Sequence, residues 1–76
     1  SMDKRWRNRK MTVSYDKLWK LLIDKKMNKT QMRLATGISS STLAKLSKEE
    51  PVTLEVLEKI CNELRCNIGD IVEFIK

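Results

Sequence analysis

Residues 28–47 leave the chain few choices: Asn28-Lys-Thr-Gln-Met-Arg-Leu-Ala-Thr-Gly37-Ile-Ser-Ser-Ser-Thr-Leu43-Ala-Lys-Leu46-Ser47. Asn28 is a favoured helix N-cap, and Gln31 three residues on completes a capping box in which each side chain satisfies a backbone N–H at the helix start. Met27 and Met32 occupy the two positions of a hydrophobic staple around that cap. Gly37 then ends the helix, because glycine takes the left-handed conformation of a helix terminus without a Cβ penalty. Ser39 or Ser40 caps a second helix, expected over Ser40 to about Ser47. The stretch therefore predicts helix, tight turn, helix.

The second of these helices divides by face. At about 100° per residue, Ile38, Leu43 and Leu46 point one way and Ser41, Ala44, Lys45 and Lys48 the other. The outward side is small, hydroxyl-bearing and basic, with no acid. Such a surface suits entry into a DNA major groove, where short side chains permit close approach and Ser, Thr and Lys offer donors to bases and phosphates. It also suits a plain solvated face.

Helical spacing continues on both sides of this unit. Ser14 is expected to cap a first helix, Tyr15 to Lys26, whose Tyr15, Leu18, Trp19 and Leu22 form an apolar stripe. Trp19 reads as core rather than as a platform for a ligand. The segment containing Pro51 leaves helical geometry, and Thr53 caps a helix over Leu54 to Leu64 with Glu55 near its positive end. Leu54, Leu57, Ile60, Cys61 and Leu64 are expected on its inner face. A last helix, Ile68 to Ile75, brings Ile68, Ile71, Val72, Phe74 and Ile75, and it either closes the core or makes a homodimer contact through Ile71, Phe74 and Ile75. With 76 residues, two Gly, one Pro and no alternating strand pattern, the chain has room for one small core and reads as an all-α, compact five-helix bundle. No enclosed pocket for a sizeable substrate, and no small-molecule ligand, is expected.

The formal charge of +6 is unevenly distributed. Residues 1–10 hold Lys4, Arg5, Arg7, Arg9 and Lys10 against Asp3 alone, and residues 1–13 lack apolar periodicity. They read as a basic, flexible arm ahead of a domain over 14–76, with Ser1-Met2 resembling the remnant of a cleaved tag and Met11 an alternative start. An excess of this kind favours a polyanion, nucleic acid or an anionic membrane, or is simply a charged tail. Trp6, among the arginines, either stacks on a base or folds back onto the bundle. The longest apolar run, Leu21-Leu22-Ile23, is far too short to span a bilayer or to serve as a signal-peptide core, so no membrane partner is expected and the cytoplasm is the expected location. Cys61 and Cys66, in a chain with no histidine, cannot close a tetrahedral metal shell. They read as buried or half-buried free thiols, and no metal or cofactor is expected.

The stretch resembles the helix-turn-helix of the lambda-repressor and Cro-like (Xre-type) bacterial regulators, whose turn commonly reads Thr-Gly-Ile-Ser, here Thr36-Gly37-Ile38-Ser39. Leu43 falls at the family's buried apolar position. Val52 to Leu64 is similar to its fourth helix, and Asn67-Ile68-Gly69-Asp70-Ile71 to the start of its fifth, so the resemblance covers residues 15–74. Three positions depart from the pattern: Arg33 where a small residue is usual, Lys29 where Gln is usual, and an acidic Glu49-Glu50 in a loop that is often basic. The resemblance implies binding of double-stranded DNA and transcriptional regulation, with repression favoured over activation and a place on the bacterial nucleoid.

The chain offers no histidine, no glycine-rich phosphate loop, no nucleophile–base pair and no carboxylate pair placed for acid–base work, so an enzyme is not expected. The alternative reading is a protein-interaction module such as an antitoxin or adaptor. On the DNA reading, base contacts are expected from Ser40, Ser41, Thr42 and Lys45, and phosphate contacts from Asn28, Lys29, Thr30 and Lys48, with further contacts from the arm cations Lys4, Arg5, Arg7, Arg9 and Lys10.

Overall fold

A computed structural model of the chain describes residues 12–75. The order of elements is β1 (Thr12–Ser14), α1 (Asp16–Asp24), α2 (Lys29–Thr36), α3 (Ser40–Ser47), α4 (Leu54–Leu64), one 3-10 turn (Ile68–Asp70) and β2 (Glu73–Ile75). Among the described residues, four helices and a two-stranded antiparallel sheet replace the expected five-helix bundle.

The central helices start and stop where their caps demand. Asn28 Oδ1 accepts from the Gln31 N–H at 2.7 Å and Gln31 Oε1 accepts from the Asn28 N–H at 2.8 Å, closing the capping box of α2. Gly37 ends α2 at φ 76°, its N–H on the Arg33 carbonyl. Ser39 is the N-cap of α3 and Thr53 that of α4, each accepting from the N–H three residues on. The first helix is shorter than its apolar stripe predicts. Tyr15 takes the N-cap position without a side-chain bond, while Ser14 Oγ accepts from the Asp16 N–H at 3.3 Å from one place further back.

The C-terminal segment overturns its expectation. After the 3-10 turn, where the Asn67 N–H reaches Asp70 Oδ2 at 2.9 Å, the chain extends and pairs with β1 in the register Thr12↔Ile75, Val13↔Phe74 and Ser14↔Glu73. Two physical reasons act together. Ile71, Val72, Phe74 and Ile75 are β-branched or aromatic residues that suit a strand, and a run this short cannot be assigned by periodicity alone. Thr12 and Val13, which the sequence assigns to the arm, supply the partner edge.

One core joins all four helices and the C-terminal turn: Tyr15, Leu18, Leu22, Met32, Ile38, Leu46, Leu57, Ile60, Leu64 and Ile71 are buried. Tyr15 buries its ring and donates its hydroxyl to the Glu50 carbonyl at 2.8 Å, tying the start of α1 to the loop after α3. Three further expectations are corrected here. Leu43 is only half-buried at the core margin, and Leu46, fully buried, takes the central place. With Leu46 at the middle of the inward face, Thr42 and Leu43 lie one turn back on its two flanks, and both are half-buried. Leu54 is 74% exposed rather than on the inner face of α4. Ile71 is fully buried and so unavailable to a partner, whereas Phe74 and Ile75 remain exposed. Cys61 and Cys66 are free and half-buried, the Cys66 N–H bonding the Cys61 carbonyl at 3.1 Å. An open groove of about 590 Å³ runs beside the strands, lined by Val13, Val52, Leu57, Val72 and Phe74 among others. No described helix is long and apolar enough to cross a membrane.

Candidate nucleic-acid interface

The turn at Gly37 fixes α3 against α2, and burial of Ile38 and Leu46 sets its rotation. That rotation leaves Ser40, Ser41, Ala44, Lys45 and Lys48 exposed. The expected outward face therefore exists as a continuous strip of small, hydroxyl and basic side chains, interrupted by no acid.

Its N-terminal end is held by Ser39. The Ser39 hydroxyl accepts from the Thr42 N–H at 3.2 Å and lies 2.9 Å from Thr42 Oγ1 and 3.0 Å from Ser41 Oγ. Two of the four candidate base-reading side chains are thus drawn to one oxygen. A hydroxyl exchanges partners at little cost because its proton rotates freely, so the cluster orients Ser41 and Thr42 without removing them from use. Thr42 is half-buried, which leaves its methyl and hydroxyl at the edge of the strip rather than at its centre. Ser40 and Lys45 are exposed and have no side-chain bond within the described residues.

Three of the four candidate phosphate-contact residues lie at the start of α2. Asn28, Lys29 and Thr30 are exposed, and their helix carries no acid in its first turn. First-turn N–H groups have no partner within a helix and favour anions. Lys29 is drawn across to two other helices: its Nζ donates to Ser47 Oγ at 3.4 Å and sits 4.2 Å from the centroid of the Trp19 ring. The structure therefore brings Lys29 to the C-terminal end of α3. Lys48, the C-cap of α3, is exposed. The arm cations Lys4, Arg5, Arg7, Arg9 and Lys10 lie outside the described residues.

Two participants escape sequence reasoning. Trp19 fits an apolar stripe and reads from sequence as core, yet it is half-buried and carries a cation on its face. Ser39 reads only as one of two possible caps, with nothing in the sequence to show that it gathers the hydroxyls after it. Among the described residues no group of His, Cys, Asp or Glu is placed to hold a metal ion.

Comparison with known proteins identifies the family of the fold. A sequence model of the Cro/C1-type HTH DNA-binding domain matches residues 17–76. The chain is 36% identical over 56 residues to YozG of Bacillus subtilis (strain 168), described as an uncharacterized HTH-type transcriptional regulator, covering 71% of this chain and 67% of that protein. The crystal structure of the transcriptional regulator VanUg superimposes with a TM-score of 0.86 at 55% identity, over 88% of this chain and 89% of that one. On the match over residues 17–76, this chain belongs to the Cro/C1-type helix-turn-helix family of DNA-binding domains, whose relatives here are transcriptional regulators.

Proposed function

We propose that the protein binds duplex DNA sequence-specifically with α3 in the major groove, and that Ser40, Ser41, Thr42 and Lys45 read bases while Asn28, Lys29, Thr30 and Lys48 hold phosphates. The observation that carries this reading is the acid-free exposed strip of α3, set opposite a side centred on the fully buried Leu46. Lys45 is the one long cationic donor on that strip before the C-cap and is suited to guanine O6 and N7. Serine hydroxyls both donate and accept, so they discriminate weakly, and the Thr42 methyl can pack on a thymine methyl. Binding represses transcription by occupying duplex that other proteins need, and the protein works on the bacterial nucleoid.

The two classes of contact differ in what they lose. With a site selected from a random duplex library, Lys45→Ala should cost about 1–3 kcal/mol on the best sequence and relax preference at one base pair. Lys29→Ala should weaken specific and random duplex alike. Equal loss on both duplexes for Lys45→Ala would make Lys45 a phosphate contact. Transcription in vitro from a promoter overlapping the selected site tests the sign.

A second copy of the chain is the proposed partner at the C-terminal strand. Phe74 is 67% exposed and Ile75 44%, beside the open groove. Sedimentation equilibrium should show a concentration-dependent dimer that Phe74→Asp disperses; a monomer at all concentrations would reject the contact.

A further inference from the structure

We propose that Trp19 is a positioning residue for DNA binding: its indole face holds the Lys29 ammonium, already ordered, at the junction of α1, α2 and α3. The inference rests on the reading of Lys29 as a phosphate contact and adds to it the residue that makes the contact efficient.

Lys29 begins α2, where the positive end of that helix's dipole disfavours a cation. Its side chain leaves that end. The Nζ lies 4.2 Å from the Trp19 centroid and donates to Ser47 Oγ at 3.4 Å, in the last residue of α3. There the ammonium meets the negative face of an aromatic ring and the negative end of another helix dipole. An ammonium has three donors; Ser47 takes one, the ring needs none of them directed in a line, and the remainder stay available. Lys29 is exposed, and no carboxylate pairs with it among the described residues.

The consequence is entropic. A free lysine loses the freedom of its long side chain when a phosphate captures it. One already held on an indole face has lost much of that freedom in the unbound protein. Trp19 is half-buried and packs against the core, so its ring is itself fixed by the fold. Leucine at this position would keep apolar bulk but no π face. Phenylalanine would keep a weaker one.

A double-mutant cycle on the full chain tests the proposal, with a fluorescein-labelled random-sequence duplex as the probe and affinity measured across a salt series. Lys29→Ala should make the negative slope of log affinity against log salt shallower by about 0.9 for its one phosphate. Trp19→Leu should weaken binding about two- to tenfold, the cost of immobilising one long side chain on binding, with the slope unchanged, because the charge remains. In the Lys29→Ala background Trp19→Leu should have no further effect, and Trp19→Phe should restore part of the loss. The upfield ring-current shift of the Lys29 ε-methylene protons should vanish in Trp19→Leu and persist in Trp19→Phe. Equal weakening by Trp19→Leu with and without Lys29 would mean that the ring acts only through the fold and would overturn the inference, as would no weakening at all. Should Trp19→Leu fold poorly, the same cycle run with Trp19→Phe separates the same two outcomes. An unchanged slope in Lys29→Ala would remove the phosphate contact itself, and is distinguishable because it appears in the single variant.

Discussion

At Gly37 the backbone sits at φ 76°, and a Cβ built there would meet nothing within 4 Å. The cost of a side chain is therefore conformational and not a clash. Gly37→Ala should destabilise the domain by about 1–2 kcal/mol, a fall in Tm of roughly 4–8 °C for each kcal/mol in a domain of this size, and Gly37→Val should cost more because it is branched at Cβ. A Tm equal to that of the parent would contradict the left-handed turn. Two other residues couple the fold to pH. Burial, with Cys61 and Asp70 nearby, pushes the Cys66 thiol from 9.0 up to about 11, against a smaller opposing effect of Lys25. Burial also raises the Tyr15 hydroxyl above 10.0, partly offset by the Val52 backbone. Both groups are neutral when protonated, so the unfolded chain ionises first. The stability tied to Cys66 is complete below pH 9.0 and is lost as pH rises towards about 11. Urea midpoints should decline across that window, and Cys66→Ala should flatten the decline while leaving the later Tyr15 part.

The helices differ in how they end. Only α2 ends on glycine; Lys26 after α1, Glu49 after α3 and Arg65 at the end of α4 take positive φ values of 55°, 58° and 54° with a Cβ present. Each of these stores strain of about 1–2 kcal/mol. Arg65 is exposed, so Arg65→Gly removes little packing and should raise stability by roughly 0.5–1 kcal/mol, net of the greater freedom glycine gives the unfolded chain. No change in the thermal midpoint would show that the strain is relieved elsewhere. Within α3, Leu46→Ala should cost about 2–5 kcal/mol, as truncations at fully buried sites do. Leu43→Ala, at the margin, should cost distinctly less. Reversal of that order in chemical denaturation would place the centre of the α3 face at Leu43.

Across the whole molecule, β1 and β2 bring the first and last described segments side by side. The described chain therefore begins at Thr12, opposite Ile75 of the C-terminal strand. Residues 1–10 hold five of the sixteen Lys and Arg. Deleting them should flatten the salt dependence of DNA affinity by about 0.9 for every phosphate that the arm neutralises. An unaltered slope would mean that the arm neutralises none, and that the cations of α2 and α3 account for the electrostatics of binding.

The helix-turn-helix was legible in the sequence because its signals are local. Asn28 with Gln31, Gly37, Ser39 and Thr53 each act on backbone groups within three or four residues, so that α2, α3 and α4 begin, and α2 ends, where those residues place them. The outward strip of α3 followed from the same local periodicity. Local signals could not decide the fate of Ile71 to Ile75, whose strand needs a partner edge at Thr12–Ser14 near the other end of the described chain. Nor could they show that Leu46 rather than Leu43 is central, because rotation of α3 is set by the helices packed against it. The same holds for Lys29. Its position in the sequence makes it a cation at a helix start; only the packing of α1 and α3 around it puts its charge on an indole face.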